Sequence, residues 1–504
     1  MAEVTRYLLG IDAGTSAVKA ALFDADGREV GTASQRTRVY ALQPGYSEAD
    51  MHSIWLQVCA TIREVCHATG IHGNQIAGVG ITANMVGFWG IDAHGQPVRH
   101  AILWNDARAQ TLIDQHEADA PGWMHRIFAL SGSVMQSGCT LPIVHWLITH
   151  EPETLARTHT IFCCKDWLRF KLTGEIATDP TEASVMPGDT HGRTYSSLAF
   201  SLLEVEAVRD KFPRVLPSET IAGTVTADAS AQTGLRIGTP VAVGAGDVPA
   251  STLGAGACAV GTACIVLGTT CLSGIVCAQP TFTPPDVGLL FCQAGGTWVR
   301  VMANIAGTSN LDWIIQQCFA HEYQQVGEQV YAHLETLAAA SPTGSAGLLY
   351  LPYLSDAGII APVVAPKARA GFHGLAPAHT RVHLLRAVFE GVALAIRDCY
   401  AAMQVTTITQ VVLAGGGANS PFWCQMIADV LDTQVQVPEG SEFGAKGAAL
   451  LASVACGFDS TPQAAAERQT YTARRYFADA DQHHLYDALH ERYAHYRDAM
   501  LSIM

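Results

Sequence analysis

Two carboxylates in this sequence stand where apolar runs meet small-residue turns. Asp12 follows the run 7–11 and precedes Ala13-Gly14-Thr15-Ser16, while Asp247 follows Val241-Ala242-Val243 and sits behind Gly244-Ala245-Gly246. A tight Gly/Thr/Ser turn aims several backbone N–H groups and hydroxyls at one point, which suits phosphate oxygens. A carboxylate just before such a turn stands where a phosphate-bound Mg²⁺ takes an oxygen ligand. The same stretch also reads as an ordinary hairpin with a capped turn. Asp247 is a different case, because a carboxylate at the end of an apolar strand is costly unless it is paired or used. It either accepts the proton of a hydroxyl attacking phosphorus or caps a helix starting near Pro249.

Four further stretches belong with these. Gly268-Thr269-Thr270, inside the apolar segment 263–276, repeats the strand, turn, strand design of residues 7–24 and hints at an internal duplication. Gly415-Gly416-Gly417-Ala418-Asn419 ends an apolar run, and backbone approaches a flat ring or ribose closely only where side chains are absent. Asn84-Met85-Val86-Gly87 follows a short buried strand, the place where ligands collect in α/β sheets. Trp104-Asn105-Asp106-Ala107-Arg108 offers both donors and acceptors to a polyhydroxylated ligand, or forms a surface turn with a local salt bridge.

The elements that must position these residues alternate. Strands are expected over 7–11, 18–23 and 29–33, an amphipathic helix over 51–68 and a buried strand over 76–82. Helices are expected over 142–150 and 161–172, the second stopping at Thr173-Gly174. A strand at 411–414, a helix over 421–431 and a small-residue helix over 444–454, packed against the glycine turn, complete an α/β pattern. No helix follows the Asp12 turn, so it is not a Walker loop.

Composition narrows the partners. The 504 residues suffice for two or three domains, and a net charge of −15 argues against a non-specific nucleic-acid binder. Fourteen scattered cysteines without a CxxC spacing read as free thiols in a reducing cytoplasm. The histidines show no zinc-ligand spacing. Segment 241–278 has Asp247 as its only charge, but its glycines break it into strand-length runs, so no membrane span is expected. No signal peptide is evident, and a cytoplasmic protein is expected.

Taken in order, GIDAGTS, WNDAR, GAGD, GTT and GGGANSPFW resemble the FGGY family of carbohydrate kinases, and residues 370–390 (AGFHGLAPAHTRVHLLRAVFE) are similar to that family's C-terminal signature. At the family's other signature, Ile143 stands where a lysine is usual, although Trp146 fits. The resemblance implies an α/β protein of two ribonuclease H-like domains of the actin/hexokinase superfamily, 1–249 and 250–504, with an interdomain cleft. It implies ATP as cofactor, with Asp12 supporting Mg²⁺ and Gly14, Thr15, Lys19, Gly268, Thr269, Thr270 and Gly307 around the phosphates. Gly416, Gly417 and Asn419 would lie against adenosine. Asp247 would be the base, and Asn84, Met85, Trp104, Asp106 and Arg108 would face a sugar or polyol. It also allows a homodimer.

Within the family, WNDAR and LPYLS (351–355) are most similar to xylulose kinases. Two positions depart. Val86 replaces the histidine of a Met-His-Gly motif and Val248 the asparagine after the catalytic aspartate, an aspartate-valine pair similar to L-xylulose and erythritol kinases. Valines there would narrow or dry the pocket, at about 1–3 kcal/mol for each substrate hydroxyl left unpaired. The expected reaction is phosphorylation of a ketopentose, xylulose first, with L-xylulose, L-ribulose or erythritol as alternatives. A nucleotide switch of the same superfold is the competing reading, but it has no need of a sugar-facing cluster.

Overall fold

Residues 7–23 form the expected hairpin in the computed structural model, which describes residues 6–503. Strand β1 (Tyr7–Ala13) turns at Gly14, whose N–H donates to Ala17 O at 3.0 Å, into antiparallel β2 (Ala17–Phe23), and β3 (Glu29–Arg36) follows at the edge. Helix α1 (Met51–Thr69), N-capped by Asp50 and ended at left-handed Gly70, then crosses to β4 (Ile76–Ala83), which lies parallel to β1. After a long excursion the chain returns through β5 (Ile221–Thr224) and β6 (Pro240–Ala242), the latter parallel to β4. The first sheet is therefore ordered β3-β2-β1-β4-β6-β5.

The second sheet repeats this plan. Strands β7 (Thr262–Leu267) and β8 (Cys271–Cys277) form a hairpin, flanked by β9 (Leu289–Cys292) and β10 (Trp298–Asn304). A crossover leads to β11 (Gln410–Ala414), parallel to β7, then to parallel β12 (Val435–Pro438) and antiparallel β13 (Thr472–Tyr476). The order is β9-β10-β8-β7-β11-β12-β13. Without β9 it matches the first sheet in the direction of every strand pairing and in the chain order of the first four strands. Its antiparallel edge strand, however, follows its neighbour in the chain (β13 after β12), where that of the first sheet precedes it (β5 before β6). The duplication hinted at by the two turns is therefore carried by the hairpin and the parallel strand beside it. The result is a mixed α/β fold of two lobes, each with its own apolar core.

Three local expectations need correction. Residues 161–172 are not one helix, because Thr160–Phe162 pairs as a strand with Trp89–Ile91 and the helix α2 runs Cys164–Thr173. The helix expected near Pro249 starts earlier, as α4 (Asp247–Gly254). The small-residue helix, Phe443–Ala455, does not pack against the glycine turn but lies on β1 and β4 of the first lobe and on α4. Its backbone sits so close that a Cβ on Gly10 or Gly80 would come within 1.9 or 1.8 Å of Ala445 O or Ala448 O, and one on Gly447 within 1.8 Å of Ala250 O. Glycines on both partners, far apart in sequence, make that approach possible. No helix among the described residues is long and apolar enough to cross a membrane.

Candidate active site

Strands β1, β4 and β6 are neighbours and run parallel, so their carboxyl ends share one edge of the first sheet. That edge gathers Asp12, Asn84 and Asp247. Asn84 ties two of the strand ends together, its backbone N–H and Nδ2 both donating to Ala13 O at 3.0 Å, while its buried Oδ1 has no partner. Gly244, at φ 82°, brings the third strand end in, since a Cβ there would lie 2.1 Å from Ile81 O. Met85 fills the space beside Gly246.

Asp247 is the first residue of α4, and Gly246 occupies the N-cap position. Its Oδ1 accepts only the adjacent N–H of Val248, at 2.8 Å, so it does not cap the helix through the amides further in. Desolvation first, and the charge of Asp12 second, raise its carboxyl to about 7. Asp12 is raised to about 6 by burial, with Lys19 opposing and Glu442 adding to the shift. Two carboxyls with raised pKa values at one carboxyl edge of a parallel sheet are a combination that packing alone does not require. Lys19 stands opposite Asp12 on β2 and pairs with Glu442 of the other lobe at 2.9 Å.

A buried polar network behind this edge escaped the sequence reading. Lys165 Nζ pairs with Asp166 Oδ1 at 2.6 Å and with Asp179 Oδ1 at 2.9 Å. Arg169 Nη1 reaches Asp166 Oδ1 at 2.9 Å and Val243 O at 3.1 Å. All four side chains are fully buried, and through Val243 they fix the loop that carries Asp247. The spacing of Asp166 and Arg169 on α2 is a helical ion-pair signal, but nothing local indicates that it faces inward.

The Trp104 cluster divides. Trp104 is exposed at 41%, and its Nε1 donates to Thr15 Oγ1 at 2.9 Å, so it belongs to the Asp12 turn. Asp106 and Arg108 face the interior. Asp106 accepts from Ser47 N at 2.7 Å and from Arg108 Nε at 2.8 Å, and Arg108 Nη2 reaches Glu48 at 2.6 Å beneath the rings of Tyr46 and Trp146. Their hydrogen bonds go to protein, apart from an unpartnered Arg108 Nη1.

In the second lobe, β7 and β11 are parallel neighbours, so the Gly268-Thr269-Thr270 turn and the triple-glycine turn lie side by side. The glycines there are of two kinds. A Cβ on Gly416 would meet nothing within 4 Å, one on Gly268 would reach only Thr270 O at 3.7 Å, and one on Gly14 only Ala17 O at 3.4 Å. These three front open space at exposed or half-exposed turns, as a nucleotide cradle requires. Gly417 and Gly307 instead answer to packing, against Leu267 and against Gly268 O. Gly307 supports the turn from behind, its N–H donating to Thr269 O at 2.7 Å. Thr269, Thr270 and Asn419 are exposed. The donor set also fits a Mg²⁺ bound with a nucleotide, which needs one or two carboxylates plus phosphates. Among the described residues there is no group of three metal-ligating side chains that would serve a different ion.

The two lobes meet beside Asp247. Met85 and Val86 share one buried apolar cluster with Val276, Phe291, Val299 and Val301 of the second lobe, and partly buried Val248 and Leu272 pack against it.

Residues 7–254 match the N-terminal domain, and residues 263–456 the C-terminal domain, of the FGGY family of carbohydrate kinases. The chain is 31% identical over 503 residues to the L-xylulose/3-keto-L-gulonate kinase of Escherichia coli (strain K12), covering 98% of this chain and 97% of that one. It is 31% identical to the erythritol kinase of Brucella abortus (strain 2308), over 91% of this chain and 89% of that one. The crystal structure of xylulose kinase from Rhodospirillum rubrum superposes with a TM-score of 0.87 at 26% identity, covering 98% and 99% of the two chains.

Proposed function

This chain belongs to the FGGY family of carbohydrate kinases and is an ATP-dependent sugar kinase, and from that premise we propose that its acceptor is a ketopentose of the xylulose type, phosphorylated at a terminal hydroxyl with Asp247 as general base. The observation that carries this reading is that Asp12 on β1 and Asp247 just beyond β6 lie at the carboxyl edge of the same parallel strands, one strand apart, with both carboxyls raised by burial and the charge of Asp12 adding to the shift of Asp247. A base with a pKa of about 7 is matched to its task near neutral pH.

In this mechanism Asp247 takes the proton of the acceptor hydroxyl as that oxygen forms a bond to the γ-phosphorus, and ADP leaves with the electrons of the broken P–O bond. Thr15 from the first lobe, and Thr269 and Thr270 from the second, present hydroxyls and backbone N–H groups to the phosphates, while Gly14 and Gly268, whose own N–H groups close their hairpins, leave room for the close approach. Trp104 steadies the first turn through Thr15. Asp12 is the residue that would hold Mg²⁺, which supplies positive charge to the phosphate oxygens when bound. Gly416 and Asn419 border the space for adenosine, and Asn84 and Met85 border the space for the acceptor. We place the lobe boundary between 249 and 250, and the protein in the cytoplasm, which its free and mostly buried thiols suit.

Val86 and Val248 bear on the substrate. Both are built into the apolar cluster between the lobes, leaving that corner of the site without a hydrogen-bonding side chain. This favours an acceptor with no hydroxyl directed there, and L-xylulose, L-ribulose and a short polyol such as erythritol are the alternatives to D-xylulose. ADP release from MgATP, measured with D-xylulose, L-xylulose, D- and L-ribulose, erythritol, ribitol and glycerol, decides among them. Strong stimulation by one ketopentose supports the proposal, and stimulation by a polyol alone replaces it.

A further inference from the structure

Among the described residues, Val86 is the one β-branched side chain on a left-handed backbone, at φ 54°. Such a conformation persists only where its surroundings impose it. The restraint is visible. The N–H of Val86 donates to Glu182 Oε2 at 2.9 Å, and Glu182 is fully buried, with Oε1 unpartnered. Glu182 lies on a single helical turn, α3 (Pro180–Ala183), whose Thr181 Oγ1 accepts the N–H of Gly246 at 2.8 Å. Asp179, which caps this turn, is itself held by Lys165 at 2.9 Å. One short turn thus grips two loops at once, residues 84–87 through Glu182 and residues 244–247 through Thr181.

We propose that Glu182 is a positioning residue for the acceptor: it holds Val86 in the left-handed conformation and so sets the dry corner that Val86 and Val248 close against the second lobe. The role assigned to residues 84–87 rests on the function proposed above. Burial lifts the Glu182 carboxyl to about 8, so near neutral pH it is mostly uncharged and bonds Val86 without the cost of a buried anion. A carboxamide at this position would keep the accepting oxygen, whereas alanine would release the loop.

Steady-state kinetics test this with whichever acceptor of the panel is used best. Glu182→Ala should raise the KM for the acceptor by about ten-fold while the KM for ATP stays within about two-fold. Glu182→Gln should stay close to wild type. Equal rises in both KM values, or a Gln variant as impaired as Ala, would each overturn the proposal. Glu182→Met, which fills the volume without an acceptor oxygen, replaces Ala if that variant does not fold. A crystal structure of the same variant gives an answer even if no acceptor in the panel is used: Val86 should leave the left-handed region, and a Val86 unmoved at positive φ refutes the clamp.

Discussion

Replacing Asp247 by Asn should stabilise the protein in the absence of metal and nucleotide, and by more at pH 8 than at pH 5. Burial chiefly, and the charge of Asp12 secondarily, lift this carboxyl from 3.8 to about 7. A carboxyl whose pKa rises on folding binds its proton more tightly in the folded chain. Its ionisation therefore erodes stability as pH climbs from about 4 to about 7, and the loss is complete above that window. At about 1.36 kcal/mol per pH unit, the raised pKa costs about 4 kcal/mol of stability at pH 8, where the folded carboxyl is charged, and about 2 kcal/mol at pH 5, where it stays protonated while the unfolded one ionises. Asp247 keeps some surface open, so both figures are upper limits. Asparagine fills the same space without the charge. In EDTA, thermal unfolding should show the Asn variant melting several degrees above wild type at pH 8, with a smaller advantage at pH 5. A variant no more stable than wild type at pH 8, or one with the same advantage at both pH values, would refute the idea that the fold holds a desolvated carboxylate ready to take a proton.

Asp12→Asn removes the negative neighbour of Asp247, so the gain from Asp247→Asn at pH 8 should shrink in that background, and strictly additive melting shifts would contradict the coupling. Gly416→Ala meets nothing within 4 Å, so its melting temperature should match wild type while the KM for ATP rises; an unchanged KM would remove Gly416 from the nucleotide site. Gly80→Ala should do the reverse, because its Cβ would fall 1.8 Å from Ala448 O and force the helix Phe443–Ala455 off the first sheet. The cost is about 1–3 kcal/mol or more, read by thermal unfolding. Val248→Asn restores a hydrogen-bonding side chain beside the base and should shift the ratio of kcat/KM between D-xylulose and the preferred acceptor toward D-xylulose; an unmoved ratio would mean that Val248 does not face the acceptor.

What could be read from the sequence was local. The Asp12 hairpin declares itself because an apolar run, a small-residue turn and a second apolar run are consecutive, and β1 and β2 pair as that pattern requires. Asp247 stood out because a charge in so apolar a stretch needs a reason. What could not be read depends on partners distant in the chain. The helix Cys164–Thr173 reads as starting at 161 because Ile161 and Phe162 are apolar residues that suit a helix or a strand equally, and only the pairing of residues 160–162 with residues 89–91 makes them a strand. The helix Phe443–Ala455 was expected beside the glycine turn, but the glycines that admit it, Gly10 and Gly80, lie in the other lobe. Asp106 and Arg108 have the chemistry of a sugar site, and nothing local shows that Ser47 and Glu48, some sixty residues earlier in the chain, bond them from behind while Arg108 Nη1 keeps no partner. The buried Lys165, Asp166, Arg169 and Asp179 look like surface charge in a linear reading and emerge as the support of the Asp247 loop only in three dimensions.

The most direct test of phosphoryl transfer with Asp247 as base is phosphorus NMR of MgATP and the best acceptor, with wild type and Asp247→Asn followed side by side. Wild type should convert the γ-phosphate signal into that of a sugar phosphomonoester, and the variant should do so about 100- to 10,000-fold more slowly while still binding ATP. A variant that builds up the same ester at a near-normal rate would contradict the assignment.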